Sequence, residues 1–64
     1  MNSKKLYIRY TGSSNKYLTN NSLYYVIDYF RDEYNNRIYV IHDDDNIRHF
    51  ISKDYELIES DNYL

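Results

Sequence analysis

The chain has 64 residues with one glycine and no proline, cysteine or tryptophan. That leaves room for a single small domain and removes disulfides, thiol catalysis and thiolate metal sites. Ten tyrosines and two phenylalanines make it 19% aromatic, and a net charge of −2 argues against long-range attraction to nucleic-acid phosphates. No apolar run is long enough to span a bilayer, and the opening MNSKKLYIRY lacks the apolar centre of a secretory signal, so the expected location is the cytoplasm of a bacterial host.

Leu6-Tyr7-Ile8-Arg9-Tyr10 alternates aliphatic with larger or charged residues, the period-two pattern of a half-buried strand with Leu6 and Ile8 facing inward. Residues 11–22 (TGSSNKYLTNNS) hold the lone glycine and many turn formers. They read as a long loop with Tyr17-Leu18 tucked inside it. Residues 23–34 (LYYVIDYFRDEY) admit two readings. Leu23, Val26, Ile27, Phe30 and Tyr34 fall at helical spacing after a capping Ser22, whereas runs of tyrosine, valine, isoleucine and phenylalanine suit a pleated surface. The strand is the preferred reading.

Asn35-Asn36 forms a turn, since asparagine tolerates the left-handed backbone that a tight hairpin needs. Residues 37–42 (RIYVIH) are β-branched and aromatic almost throughout and give the clearest strand. Residues 43–46 turn, residues 47–51 return as a strand, and Ser52-Lys53-Asp54 reads as a short 3-10 helical turn before a last strand at residues 55–58. The ordered core is expected to span roughly residues 5–59 of one domain covering residues 1–64, with residues 60–64 frayed.

The stretch IHDDDNIRHF, residues 41–50, sets three aspartates between two histidines. If Asp45-Asn46 is the turn, His42 pairs with His49 and Asp43 with Arg48, placing both imidazoles on one face. Two such histidines suit zinc, yet no third ligand stands at a diagnostic spacing. The expectation is therefore a solvated hairpin tip, anchored in the core by Ile41 and Phe50, with no metal and no cofactor. Two histidines without a cysteine, a glycine-rich phosphate loop or room for an enclosed pocket do not assemble a reaction centre, so the protein is expected not to be an enzyme.

Tyr24-Tyr25-Val26-Ile27, Ile41-His42-Asp43-Asp44-Asp45, Phe50-Ile51 and Tyr55-Glu56-Leu57-Ile58 resemble the pattern of short bacterial and phage SH3-like barrels. The resemblance covers roughly residues 6–59. It implies an all-β, five-stranded, partly open barrel with the short 3-10 turn before its last strand. Tyr7 or Tyr10 and Tyr55 are similar in placement to the groove tyrosines of Src-homology domains. The spacing departs from the Ala-Leu-Tyr-Asp-Tyr of those domains, however, and the groove tryptophan and proline are absent, which puts proline-rich peptide recognition in doubt.

Tyrosines at Tyr7, Tyr10, Tyr17 and Tyr55, together with the acidic Asp43, Asp44 and Asp45, are the expected partner-binding residues. Tyr10, Tyr17 and Tyr25 offer faces for base stacking, but the eight Lys and Arg are scattered, without the basic groove such sites combine with stacking. The expected function is a non-enzymatic protein-binding module. Heavy use of Asn, Ile, Tyr and Lys reflects an AT-rich genome, and with the phage-like resemblance it points to a phage or prophage inhibitor of a host machine, such as an anti-CRISPR or other anti-defence protein. Such an inhibitor would occlude a larger host protein or protein–nucleic-acid complex, as a monomer or small homo-oligomer. The alternative is a small nucleic-acid-binding or complex-assembly module.

Overall fold

A computed structural model describes residues 3–62. Five antiparallel strands, β1 (Ser3–Tyr10), β2 (Leu23–Arg31), β3 (Arg37–His42), β4 (Arg48–Ile51) and β5 (Tyr55–Asn62), form one sheet in the order β4-β3-β2-β1-β5. The order leaves β4 and β5 as the two edges of an open sheet. Among the described residues there is no helix. The sheet is thus all-β as expected, and residues 23–31 are strand.

β2 carries a register shift between Val26 and Asp28, where Val26 faces Ile41 and Asp28 faces Val40. Ile27 is the extra residue, and an extra residue in one strand inverts the inside-outside alternation beyond it. Before the bulge, Tyr24 and Val26 point into the core. Beyond it, Tyr29 pairs with the core residue Tyr39 while Asp28 and Phe30 pair with Val40 and Ile38. The bulge therefore keeps the Asp28 carboxylate out of the core and turns Phe30 outward.

The core consists of Ile8, Tyr10, Leu18, Tyr24, Val26, Tyr39, Ile41 and Ile51, with Leu6 and Tyr55 packed against it. Ile8 and Ile41 are fully enclosed, each worth roughly 1.5–3 kcal/mol of burial. Three core members are tyrosines, and each hydroxyl finds a partner. Tyr10 Oη donates to Ser13 O at 3.0 Å, Tyr24 Oη donates to Asp44 Oδ1 at 2.8 Å, and Tyr39 Oη accepts from Arg37 at 3.4 Å. Burial of these rings then costs little in lost hydration.

The long loop supplies what a single sheet lacks, a cover for the core. Leu18 inserts with only 4% exposure, held by the Asn15 side chain, whose Oδ1 accepts the amides of Tyr17 and Leu18 at 2.8 and 3.0 Å. Turns elsewhere rest on residues that tolerate positive φ, namely Asn21, Asn35, Asn46 and Asp54. At the β2–β3 connection Asn35 is left-handed, but the turn starts earlier than Asn35-Asn36. Asp32 Oδ1 accepts the amides of Tyr34 and Asn36, both at 2.9 Å, so β2 stops at Arg31.

Two other boundaries differ from expectation. Residues 52–54 hold a bend at Lys53-Asp54 and not a 3-10 turn, because Asp54 takes φ 60°, a left-handed value that a right-handed turn cannot contain. Its carbonyl accepts the Thr11 amide at 2.8 Å, tying the bend to the start of the long loop. β5 runs past Glu59 to Asn62 because β1 begins at Ser3 and pairs with it residue for residue, Ser3 opposite Asn62. Residues 63–64, also expected to fray, lie outside the described residues.

Gly12 is fixed by close approach. A Cβ there would lie 2.5 Å from Tyr10 Oη and 2.6 Å from its ring, and that ring is core-bound at 8% exposure. Gly12→Ala is expected to destabilise by about 1–3 kcal/mol, the usual cost of overpacking. Urea unfolding checks this; an unchanged midpoint would show that the Tyr10 ring moves freely.

Candidate interaction surface

The acidic stretch folds in a different register from the one expected. His42 pairs with Arg48 and Ile41 with His49, so the two histidines do not face each other. The turn is longer than two residues, closed by Asp43 N–H to Ile47 O at 2.9 Å and Asn46 N–H to Asp43 O at 2.8 Å. Asp43 accounts for the extra length. Its Oδ1 accepts the amides of Asp45 and Ile47 at 2.9 and 3.0 Å, and its Oδ2 lies 3.4 Å from His49 Nδ1.

Asp43 is accordingly 7% exposed and not solvated at a tip. Burial alone pushes its carboxyl up, but the Ile47 and Asp45 amides and His49 together hold it below the ordinary value of 3.8. A carboxylate fed by amides stays charged where it sits. Phe50, expected as a core anchor, is 59% exposed, since the one-residue change of register moves it to the other face.

Asp44 closes a second set of bonds across the molecule. Its Oδ2 accepts the Thr19 hydroxyl at 2.7 Å, its Oδ1 accepts the Tyr24 hydroxyl, and its amide donates to Tyr17 O at 2.8 Å. The Thr19 amide in turn donates to Tyr24 Oη at 2.7 Å. Burial, with Asp44 adding to it, raises the Tyr24 pKa above the ordinary phenol value, so this hydroxyl keeps the proton it donates. Among the three aspartates only the Asp45 carboxylate makes no hydrogen bond within the described residues.

The candidate tyrosines divide. Tyr10 is core, with its hydroxyl committed to the loop. Tyr55 is half-buried edge-on to Tyr39, ring centres 5.1 Å apart, and burial raises its pKa, the neighbouring Tyr39 next in effect. Tyr17 is exposed beside His49, centres 6.1 Å apart, and Lys16. Tyr7 is half-buried on the outer face of the sheet, edge-on to Tyr25 at 5.5 Å.

That outer face holds residues outside the expected partner-binding set, Tyr25 being expected only as a face for base stacking. Leu23, Tyr25, Ile27 and Phe30 line β2, and Phe50 on β4 adjoins Phe30 at 6.0 Å between ring centres; all five are exposed. Val40 lies on the same face, paired with Asp28 and Phe50, and is fully enclosed although it stands apart from the main core cluster. The outer face is thus apolar enough to bury one of its own residues. The neighbouring row adds Arg9, which bridges Asn21 at 3.1 Å and Glu56.

Among the described residues no three of His, Cys, Asp or Glu are grouped so as to hold a metal ion. No protein-family model matches the chain, and neither curated proteins nor solved structures yield a significant match.

Two substitutions probe the acidic turn. Tyr24→Phe removes one donor and one acceptor and is expected to lower stability by about 1–3 kcal/mol, read by urea unfolding; a neutral result would mean that solvent replaces both bonds. Asp43→Asn probes charge. A depressed folded pKa adds stability that is present above the unfolded value and lost as pH falls through the folded one. The deficit of Asp43→Asn should therefore be full above about pH 4 and shrink in more acid solution, as thermal melts across pH would show. A deficit independent of pH would contradict it.

Proposed function

We propose that the protein is a non-enzymatic protein-binding module whose contact surface is the outer face of the sheet, centred on Leu23, Tyr25, Ile27, Phe30 and Phe50, with Tyr7 at its flank. The observation that carries this reading is the exposure of these side chains together on one face. Contiguous apolar surface of this kind marks interaction sites in small proteins, and aromatic residues are favoured where binding energy concentrates. The aspartates enter the reading differently from the tyrosines. Asp43 and Asp44 serve the fold, which leaves Asp45 to carry the acidic contribution at the turn.

The narrower reading is a phage- or prophage-encoded inhibitor, such as an anti-CRISPR or other anti-defence protein, that occludes a host protein machine from the cytoplasm of a bacterium. An SH3-like ancestry belongs with it. Its support is the element order of five strands with a long first loop and a bend before the last, and an AT-rich residue usage. On this reading the domain acts by covering a surface with its exposed apolar face.

Capture from host lysate by the tagged protein, with partner identification, tests the reading. Tyr25→Asp combined with Phe50→Asp should abolish capture while leaving the fold intact, since both side chains are exposed. Asp45→Ala should reduce it by a few fold at most. Capture that survives the outer-face pair, or tight binding to bare DNA or RNA that falls steeply with salt, would contradict the reading.

A further inference from the structure

β1 and β2 pair only through Tyr7 with Tyr25, Ile8 with Tyr24 and Arg9 with Leu23. Below Tyr7, β1 continues beside β5 alone, and above Tyr25, β2 continues beside β3 alone. The two strands part where the Ile27 bulge bends β2. Between them opens a cleft of about 210 Å³, lined by Lys4 and Leu6 of β1 and by Tyr25, Val26, Ile27, Asp28 and Tyr29 of β2.

Among the described residues each wall of this cleft is a strand with one edge lacking a strand partner. Such an edge presents main-chain donors and acceptors that an extended segment satisfies by adding as a strand. A local sign of the vacancy is that Asp28 folds its own carboxylate back to accept the Tyr29 amide at 2.8 Å. The outer edges of the sheet are less suited. β4 is four residues long, and β5 carries the exposed charges Glu56 and Glu59, both features that discourage pairing.

We propose that this cleft between diverging β1 and β2 binds an extended segment of a partner protein by strand addition, an apolar side chain seating over Leu6 and Val26. The proposal rests on the protein-binding reading above and names its mode. Charge fixes the occupant further. Lys4 stands on one wall and Asp28 on the other, so the segment carries an acidic residue towards β1 and a basic residue towards β2. At exposed positions such pairs contribute little affinity and instead select orientation.

Panning a displayed library of random peptides on the intact chain, in parallel with a Lys4→Glu, Asp28→Lys variant, tests the proposal. The wild type should enrich peptides with alternating apolar residues flanked by one acid and one base, and the charge-swapped variant should enrich the reverse order. Bound to an enriched peptide, the amides of residues 4–6 or 26–29 should exchange more slowly by NMR. Asp28→Lys alone should weaken a wild-type peptide by about two- to fivefold. No enrichment, the same charge order from both proteins, or protection confined to other strands would overturn it. If any of these occurs while the outer-face pair still abolishes partner capture, strand addition fails and the protein-binding reading stands. Capture that survives the outer-face pair is instead the failure of that reading.

Discussion

The Tyr24 hydroxyl joins the three parts of the molecule that a single open sheet would otherwise leave separate. It accepts the Thr19 amide from the long loop and donates to Asp44 in the β3–β4 turn, while its ring lies in the core. Thr19 closes the triangle through its own hydroxyl to Asp44. A chain this short without disulfides buries too little surface for a generous margin of stability. Fastening a twelve-residue loop over one face, with Leu18 as its apolar contribution, gives the sheet a second layer that it does not build from strands.

Two faces with separate duties follow. The inner face of the sheet is closed by the loop, and its polar atoms are matched by asparagine, aspartate and tyrosine side chains. Among the described residues the outer face has no such cover. Its apolar residues stand partly open, and its bulge at Ile27 both sets Phe30 outward and opens the split between β1 and β2. The same backbone irregularity therefore creates the exposed stripe and the cleft beside it, the side of the sheet proposed to meet a partner.

The strands were legible where residue type is unmixed. Residues 37–42 are β-branched and aromatic almost throughout, with Tyr39, Val40 and Ile41 buried in a row, and match β3 in full. Residues 23–34 admit two readings for a physical reason: this strand carries apolar residues on both faces, Val26 inward and Leu23, Ile27 and Phe30 outward, and the bulge breaks their alternation, so that together they fall at intervals that imitate a helix. The acidic turn misled for a related reason. Asp43 accepts two amides and lengthens the turn, a contribution of side-chain geometry that residue type does not announce, and the resulting register reverses the faces of His49 and Phe50. Tyr10 shares the inward face of Leu6 and Ile8 while Tyr7 faces out, a division that period-two alternation within β1 sets.

Asp43 and Asp44 at the β3–β4 turn hold the fold, and the proposed contact surface is for that reason the outer face. A double-mutant cycle joining Tyr24→Phe with Asp44→Ala measures this role most directly. A coupling of about 0.5–3 kcal/mol, the range for residues in one hydrogen-bond network, is the predicted result. Additive losses, within about 0.3–0.5 kcal/mol, would contradict this by showing that Asp44 stands apart from the loop and is free to serve as contact surface.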